Sequence, residues 1–415
     1  MSRLTARCYR AFCRLSTIKV VGMYKRLIEA VDQDALIAAC QAVTRIPSET
    51  GEEQKVAEAL LGMMNDLGFD EAEIDEKGNV VGRIRGAGTG PSVMLNGHID
   101  HVPTGDMKDP FSGEIVDASR WGEAGKAIFG RGTVDMKCNV VASIFAVAAL
   151  KTASLKPGGD IIVVADVEEE IDSPNGVQAV LDRGITADYG INVEATNGGV
   201  YLGHRGKLEF MLTVRGRTSH ASEPSNGVNA ISEALKYVAA FEEYAQSLPN
   251  DELMGPATGV AVGFHSSPDN GTALVPDRCL IRFDRRYVRG ETPESCEAEL
   301  RAVFSKVASG IEDPWELELF NHYPLMFVDR DDPVVIAAIE GMALVHGREP
   351  RVSAWRFGVN GTFMAAAGIP TVGLGPGNEI WAHTPEEHIG VDDVITTAQA
   401  IAVAVAKITK GVEVS

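Results

Sequence analysis

Histidine and carboxylate side chains able to hold a divalent cation recur at the ends of apolar runs in this 415-residue chain. The segment GHIDHVP (97–103) closes one such run, SVMLNG. Strand side chains repeat every two residues, so His98 and Asp100 share a face while His101 need not. A carboxylate behind a histidine's other ring nitrogen is a frequent arrangement around a metal; a hydrogen-bonded core histidine would read the same way. Asp135 stands in the glycine-rich FGRGTVDMK (129–137) ahead of VVASIFAVAALK, where an acid at a helix N-terminus would also be at home. Glu168, Glu169 and Glu170 follow the apolar DIIVVADV in succession. Adjacent carboxylates repel near a desolvated surface and a cation relieves them; a solvated acidic loop is the alternative. Glu194 lies in GINVEATN, and His383 in AHTPEE beyond IPTVGLG. Each is weak alone. Together His98, Asp135, Glu170, Glu194 and His383 form a nitrogen and oxygen donor set that suits zinc, manganese or cobalt.

The elements that must position these groups alternate. From Met23 the pattern is a helix over 24–46, a turn at 47–51, and a second helix from Glu52 to Leu67 stopped by Gly68. A hairpin is expected about Lys77-Gly78-Asn79, then buried strands at SVMLNGHID and DIIVVADV with the helix 140–151 between them. That alternation implies an α/β domain with a mostly parallel sheet. From about residue 206 the texture changes. KLEFMLTVRG, RCLIRFDRRY and WELELF alternate as half-exposed strands, with helices at 227–247 and 293–308, a β-α-β-α-β layout. The organisation predicted is a catalytic domain of residues 23–205 and 322–415, interrupted by a smaller α+β, ferredoxin-like domain at 206–321.

Composition narrows the function. A formal charge of −20 argues against binding nucleic acid, which requires a positive surface, and favours a small-molecule substrate. Six cysteines without a CxxC pair suggest neither a disulfide framework nor a thiolate zinc site, which points to the reducing cytoplasm. No run of about 18 uninterrupted apolar residues predicts a membrane span. Residues 1–22 form a basic extension, read either as an Arg-rich targeting segment or as untranslated sequence ahead of a start at Met23.

The ordered set GHIDHVP, GRGTVDMK, EEEIDS, the glutamate of VEAT, RGRTSHAS and AHTPEE resembles the metallopeptidase family of acetylornithine deacetylase, succinyl-diaminopimelate desuccinylase, carboxypeptidase G and aminoacylase. The resemblance spans essentially the whole chain after Met23. It implies that Asp135 bridges two divalent ions, zinc first with manganese or cobalt as alternatives. His98 and Glu194 would complete one site, Glu170 and His383 the other. It further implies Asp100 behind His98, Glu169 as general base, and the interrupting domain as a lid and dimerisation domain carrying His220, which in relatives reaches the neighbouring subunit of a homodimer. The expected reaction is hydrolysis of an amide, as in N-acyl amino acids or small peptides.

Departures from the family bear mainly on the substrate. Asp172 stands where a glycine is usual, Ala195 where a proline is, and Cys138 and Asn139 where small residues are. The lid asparagine that many relatives place just before a VPD segment has no clear counterpart: ALVPD offers Leu274, and Asn270 lies earlier. Arg285, Arg286, Arg356 and Asn360 are candidates for holding a substrate carboxylate, since arginine offers a planar two-donor fork; salt bridges at strand ends explain each arginine equally well. Cys138, Asn139 and Trp355 favour a second reading, an aminohydrolase acting on an arylamine or cyclic ureide. A non-catalytic binding protein would have lost the base or a ligand, and none is lost. No GxSxG element supports a serine hydrolase.

Overall fold

Runs such as VMLNGH (93–98) and IIVVAD (161–166) have no polar face to turn toward water, so both sides must be covered. In the computed structural model, which describes residues 22–268, 273–309 and 311–413, both strands are buried throughout. The basic extension, apart from Gly22, and Asn270 lie outside the described residues. The chain divides into two units, one holding residues up to 203, 327–353 and 359 onward, the other 204–326 and 354–358.

The first unit is built on a nine-stranded sheet. Its centre runs Ile161–Asp166, Val93–His98, Tyr189–Asn192 and Thr371–Gly373, all parallel. Antiparallel strands flank this centre, Val80–Ile84 and Glu71–Ile74 on one side and Val200–His204 on the other. The sheet is therefore mixed, parallel at its centre and antiparallel on either flank. Met94, Ile162 and Val164 pack against Val177, Val180 and Met364 of two short helices. By alternation, the intervening side chains face the opposite layer, which contains the helix Cys138–Thr152. The stretch Thr133–Thr152 is apolar and long enough to cross a membrane, but 94% of its most apolar 18-residue window is buried. The expected single helix over 24–46 is broken: a helical segment ends at residue 29, and Asp32 starts a new helix, Gln33–Thr44, by accepting the Ala35 N–H. Capping with an aspartate satisfies an N–H that a continuous helix would have bonded internally, and so marks a start.

The second unit holds a four-stranded antiparallel sheet in the spatial order Thr258–Ser267, Arg278–Tyr287, Gly206–Arg215, Trp315–Tyr323. Helices Ala230–Ala245 and Pro293–Phe304 supply Tyr237, Phe241, Leu300 and Phe304 to a core with Phe210, Leu212 and Phe283. With its two helices this is a β-α-β-β-α-β order, the ferredoxin-like arrangement. The sequence reading passes over the strand Thr258–Ser267 because its alternation is inverted. Val260, Val262 and Phe264 point outward and are exposed, while small Gly259 faces in, where a Cβ would lie 2.8 Å from Phe241.

Close backbone approach seats one end of the first sheet. A Cβ on Gly375 would lie 1.9 Å from the Val193 carbonyl oxygen, beside Glu194. Gly375→Ala is expected to destabilise the protein by about 3 kcal/mol or more through overpacking against backbone, measured by urea unfolding; an unchanged midpoint would contradict this account of the seat.

Candidate metal centre

The parallel strands end together, and that is where ligands gather in such sheets. His98 is the last residue of its strand. Its Nε2 lies 2.8 Å from Asp135 Oδ1 and 3.8 Å from Glu194 Oε2. Its Nδ1 faces Asp100, 3.2 Å from the carbonyl oxygen and 3.3 Å from Oδ1. Asp100 is fully buried and is used further. Oδ1 accepts the Glu169 N–H at 3.1 Å, and Oδ2 accepts the Glu170 N–H at 3.2 Å and the Thr50 hydroxyl at 2.8 Å. One carboxylate thus orients a ring and seats the backbone of two glutamates.

Asp135 precedes the helix Cys138–Thr152. Its Oδ2 lies 3.0 Å from His383 Nε2, which is also 3.0 Å from Glu170 Oε1. The two oxygens of Asp135 therefore face two different histidines. His98, Asp135 and Glu170 each present a ligand atom, all within 4.8 Å of one another. Behind Asp135, the buried Glu387 accepts its N–H at 3.4 Å and pairs with buried Arg131. Glu168, Asp172 and His383 adopt left-handed backbone at φ +56°, +55° and +61°, a conformation that costs a non-glycine residue about 1–2 kcal/mol and that packing must hold in place.

The electrostatics of the cluster favour the binding of positive charge. Burial, with the Asp135 charge, pushes the Glu194 carboxyl up to about 8. Burial likewise raises Glu169 well above the carboxylate range, aggravated by Glu170, Glu194 and Asp135, and raises Glu170 despite its bond to His383. For Asp135, burial is outweighed by the bonds to His383 and His98, which hold it low. The same contacts raise His383 to about 10, through Asp135 and Glu170. His98 would be lowered by burial, but Asp100 and Asp135 raise it instead. Four crowded carboxylates and two histidines form the environment that divalent cations relieve, and the mixed donor set fits zinc, manganese or cobalt.

Residues 94–407 match the model of Peptidase family M20/M25/M40. The chain belongs to that family. It is a metallohydrolase acting on amide bonds of small substrates. Among relatives, it is 32% identical to the uncharacterised protein YgeY of Escherichia coli over 376 residues, covering 85% of this chain and 89% of that one. It is 30% identical to succinyl-diaminopimelate desuccinylase of Dechloromonas aromatica, covering 86% and 92%. A tripeptidase from Staphylococcus aureus shares the fold, with a TM-score of 0.73 at 22% identity, over 92% of this chain and 99% of that one.

The remaining candidates divide. His101 is structural: its Nε2 accepts the Ser48 N–H at 2.9 Å, its Nδ1 faces the Val102 carbonyl, and burial holds it at about 4. Cys138 packs against Cys40 and Thr44, and Asn139 donates to the carbonyls of Val193 and Pro376. With Trp355 fully buried as well, the residues that suggested an unusual pocket are packing residues. Asn360 is also turned inward, donating to the buried Asp166. In the second unit, Arg285 is fully buried, ion-paired to Glu291 and bonded to the Arg286 carbonyl and Tyr244. It belongs to that unit's core, a correction to its reading as a carboxylate clamp. Arg286 pairs with Asp284, and Arg356 is exposed.

Arg205 was missed because GHRGK reads as an ordinary basic connection between strands. It stands with Arg286 and Arg356 in the second unit: burial and then their positive charges hold its guanidinium below the ordinary value. Its Nη1 donates to the Pro256 carbonyl at 2.8 Å, while its Nε is buried without a hydrogen-bond partner among the described residues. Arg285→Met is expected to lower stability by about 3–5 kcal/mol by stranding Glu291, with KM unchanged in the folded fraction. Urea melts and steady-state kinetics read both, and a raised KM with unaltered stability would return Arg285 to the substrate.

Proposed function

We propose that the chain hydrolyses the amide bond of an N-acyl amino acid or small peptide, using two divalent ions and a glutamate base. The observation that carries this reading is Asp135, whose two oxygens lie 2.8 and 3.0 Å from His98 and His383, the placement of a bridging ligand. His98, Asp135 and Glu194 would hold one ion; Asp135, Glu170 and His383 the other. Zinc is the proposed metal. Bound there, the ions supply Lewis acidity that brings a water toward a pKa of about 7 and polarises a carbonyl.

Glu169 moves the proton: it takes one from the attacking water and delivers it to the departing amine nitrogen, giving an amine and a carboxylic acid. Its raised affinity for protons suits that role. Asp100 keeps the base in place through the Glu169 N–H. His220 is the proposed oxyanion donor: its Nδ1 accepts the Ser222 N–H at 3.2 Å, which leaves the ring proton on Nε2. Arg205, Arg286 and Arg356 are the proposed seat of a substrate carboxylate. A homodimer in the cytoplasm completes the reading. The aminohydrolase alternative loses its support now that Cys138, Asn139 and Trp355 are occupied in packing.

The test separates base from ligand in three adjacent glutamates. Glu169→Gln removes the proton acceptor but keeps its shape, so metal content should stay at wild-type level while kcat falls by roughly 10²–10⁴-fold. Glu170→Gln replaces a charged ligand and should lose an ion, with activity partly restored by excess metal. Elemental analysis beside kinetics on N-acyl amino acids, dipeptides and aryl amines decides; metal loss in the Glu169 variant alone would shift the register by one. Arg205→Ala should raise KM for carboxylate-bearing substrates by about tenfold or more and leave their carboxamide analogues unaffected.

A further inference from the structure

The two histidines of the centre are held in different ways. The His98 ring is fixed on both sides, its Nδ1 against Asp100 and its Cα at the end of a buried strand. The His383 ring is half exposed, and its Nδ1 has no hydrogen-bond partner among the described residues. Its backbone is left-handed. Its direction must therefore come from the loop on which it stands.

That loop is gripped by a hairpin. The strands Glu114–Asp117 and Lys126–Phe129 pair with each other, and the second pairs with His388–Gly390. At the hairpin tip, Asp117 starts a short 3₁₀ turn that Gly122 ends at φ +78°. This brings Trp121 and Glu123 over the residues on either side of His383. Glu123 Oε1 accepts the Trp381 indole N–H at 2.8 Å, and Glu123 Oε2 lies 3.3 Å from His388 Nε2. Trp121 stacks on the His388 ring at 3.5 Å and 8°. Its indole N–H and the Arg120 guanidinium both donate to Glu386 Oε2, at 2.8 and 2.9 Å. Glu123 thus spans the loop, joined to Trp381 two residues before His383 and to His388 five residues after it.

From this geometry we infer that the 117–126 hairpin tip is a brace for His383, and that Glu123, as a positioning residue, sets the affinity of the ion held by His383 and Glu170. The inference rests on the two-ion reading above. Second contacts around a metal are typically worth 10–100-fold in affinity, and here they act through the loop backbone because the ring's Nδ1, the side away from the ion, has no partner among the described residues. The ion held by His98 and Glu194 does not depend on the brace, since Asp100 orients His98 directly.

The test is a Co²⁺ titration of the full chain, stripped of metal, followed by calorimetry and by elemental analysis at fixed free metal, for wild type, Glu123→Gln and Glu123→Ala. Expected is a 10–100-fold weakening of one ion in Glu123→Ala, the other unchanged, and a smaller loss in Glu123→Gln, whose amide oxygen still accepts the Trp381 N–H. Circular dichroism and melting of the metal-free forms should match wild type. Should the alanine variant not fold, the glutamine variant and Trp121→Phe, which keeps the ring stack and removes the bond to Glu386, carry the same comparison. Two ions of unaltered affinity, or equal weakening of both, would overturn the brace while leaving the two-ion reading intact. A wild type that binds a single ion would instead overturn the two-ion reading, and the brace with it.

Discussion

Mutual repulsion among buried carboxylates is the constraint to which the rest of the first unit answers. Asp135, Glu169, Glu170 and Glu194 crowd the ends of the parallel strands, and Asp166 and Glu387 lie buried nearby, raised to about 6 and 7 chiefly by burial. Isolated carboxylates in such a place would take up protons rather than remain charged. The fold answers in two ways. Near Asp166 it supplies neutral donors: Asn96 and Asn360 donate to that carboxylate, and Asn192 donates to Asn96, extending hydrogen bonds sideways without adding charge. At Glu387 it supplies one charged partner, the buried Arg131. Only at the four uppermost carboxylates is the compensation left to two histidines and to ions.

This division explains the architecture of the loops. Four of the five proposed ligands leave a rigid element and are fixed within a few residues of it, His98 and Glu194 at strand ends, Asp135 ahead of a buried helix, Glu170 in a single 3₁₀ turn flanked by left-handed residues. Strained backbone at Glu168, Asp172 and His383 would relax if the turns were free. Hydrogen bonds hold it instead: Glu168 accepts from Ser173 and Asn175, and the Glu169 and Glu170 amides are committed to Asp100. Preorganisation of this kind means that little reordering accompanies charge movement in the site.

The parts legible in the sequence are those dictated by local patterns. Buried strands announce themselves as unbroken apolar runs, and the residues at their carboxyl ends can be named from that pattern alone, as with His98. The antiparallel margins of the sheet were not legible, because strand direction depends on which partners the crossovers bring together. Nor was the strand Thr258–Ser267, whose outward face carries valine and phenylalanine where polar residues are the usual signal. Arginines were the hardest to sort. Arg285 and Arg286 are adjacent and chemically alike, but in a strand they point to opposite faces, and only one face is the core. Arg205 and Glu123 drew no notice because what distinguishes each is a neighbour remote in sequence, Arg356 for one and Trp381 with His388 for the other.

On the proposed reading, the arithmetic of charge also accounts for the position of the base. Four carboxylates against two divalent cations leave the loaded centre neutral, so a carbonyl oxygen is not repelled from it, even on a protein whose formal charge is −20. When Glu169 takes the proton from water, one negative charge leaves its carboxylate and reappears on the carbonyl oxygen under attack. The total within the buried volume does not change. Charge is moved a short distance between sites that are already solvated by fixed groups, which is far less costly in a low-dielectric interior than creating new charge there. A base placed in bulk water would gain nothing from this exchange. Glu169 is buried among Glu170, Glu194 and Asp135, so on this reading the proton it accepts stays within the same low-dielectric volume until it passes to the departing amine.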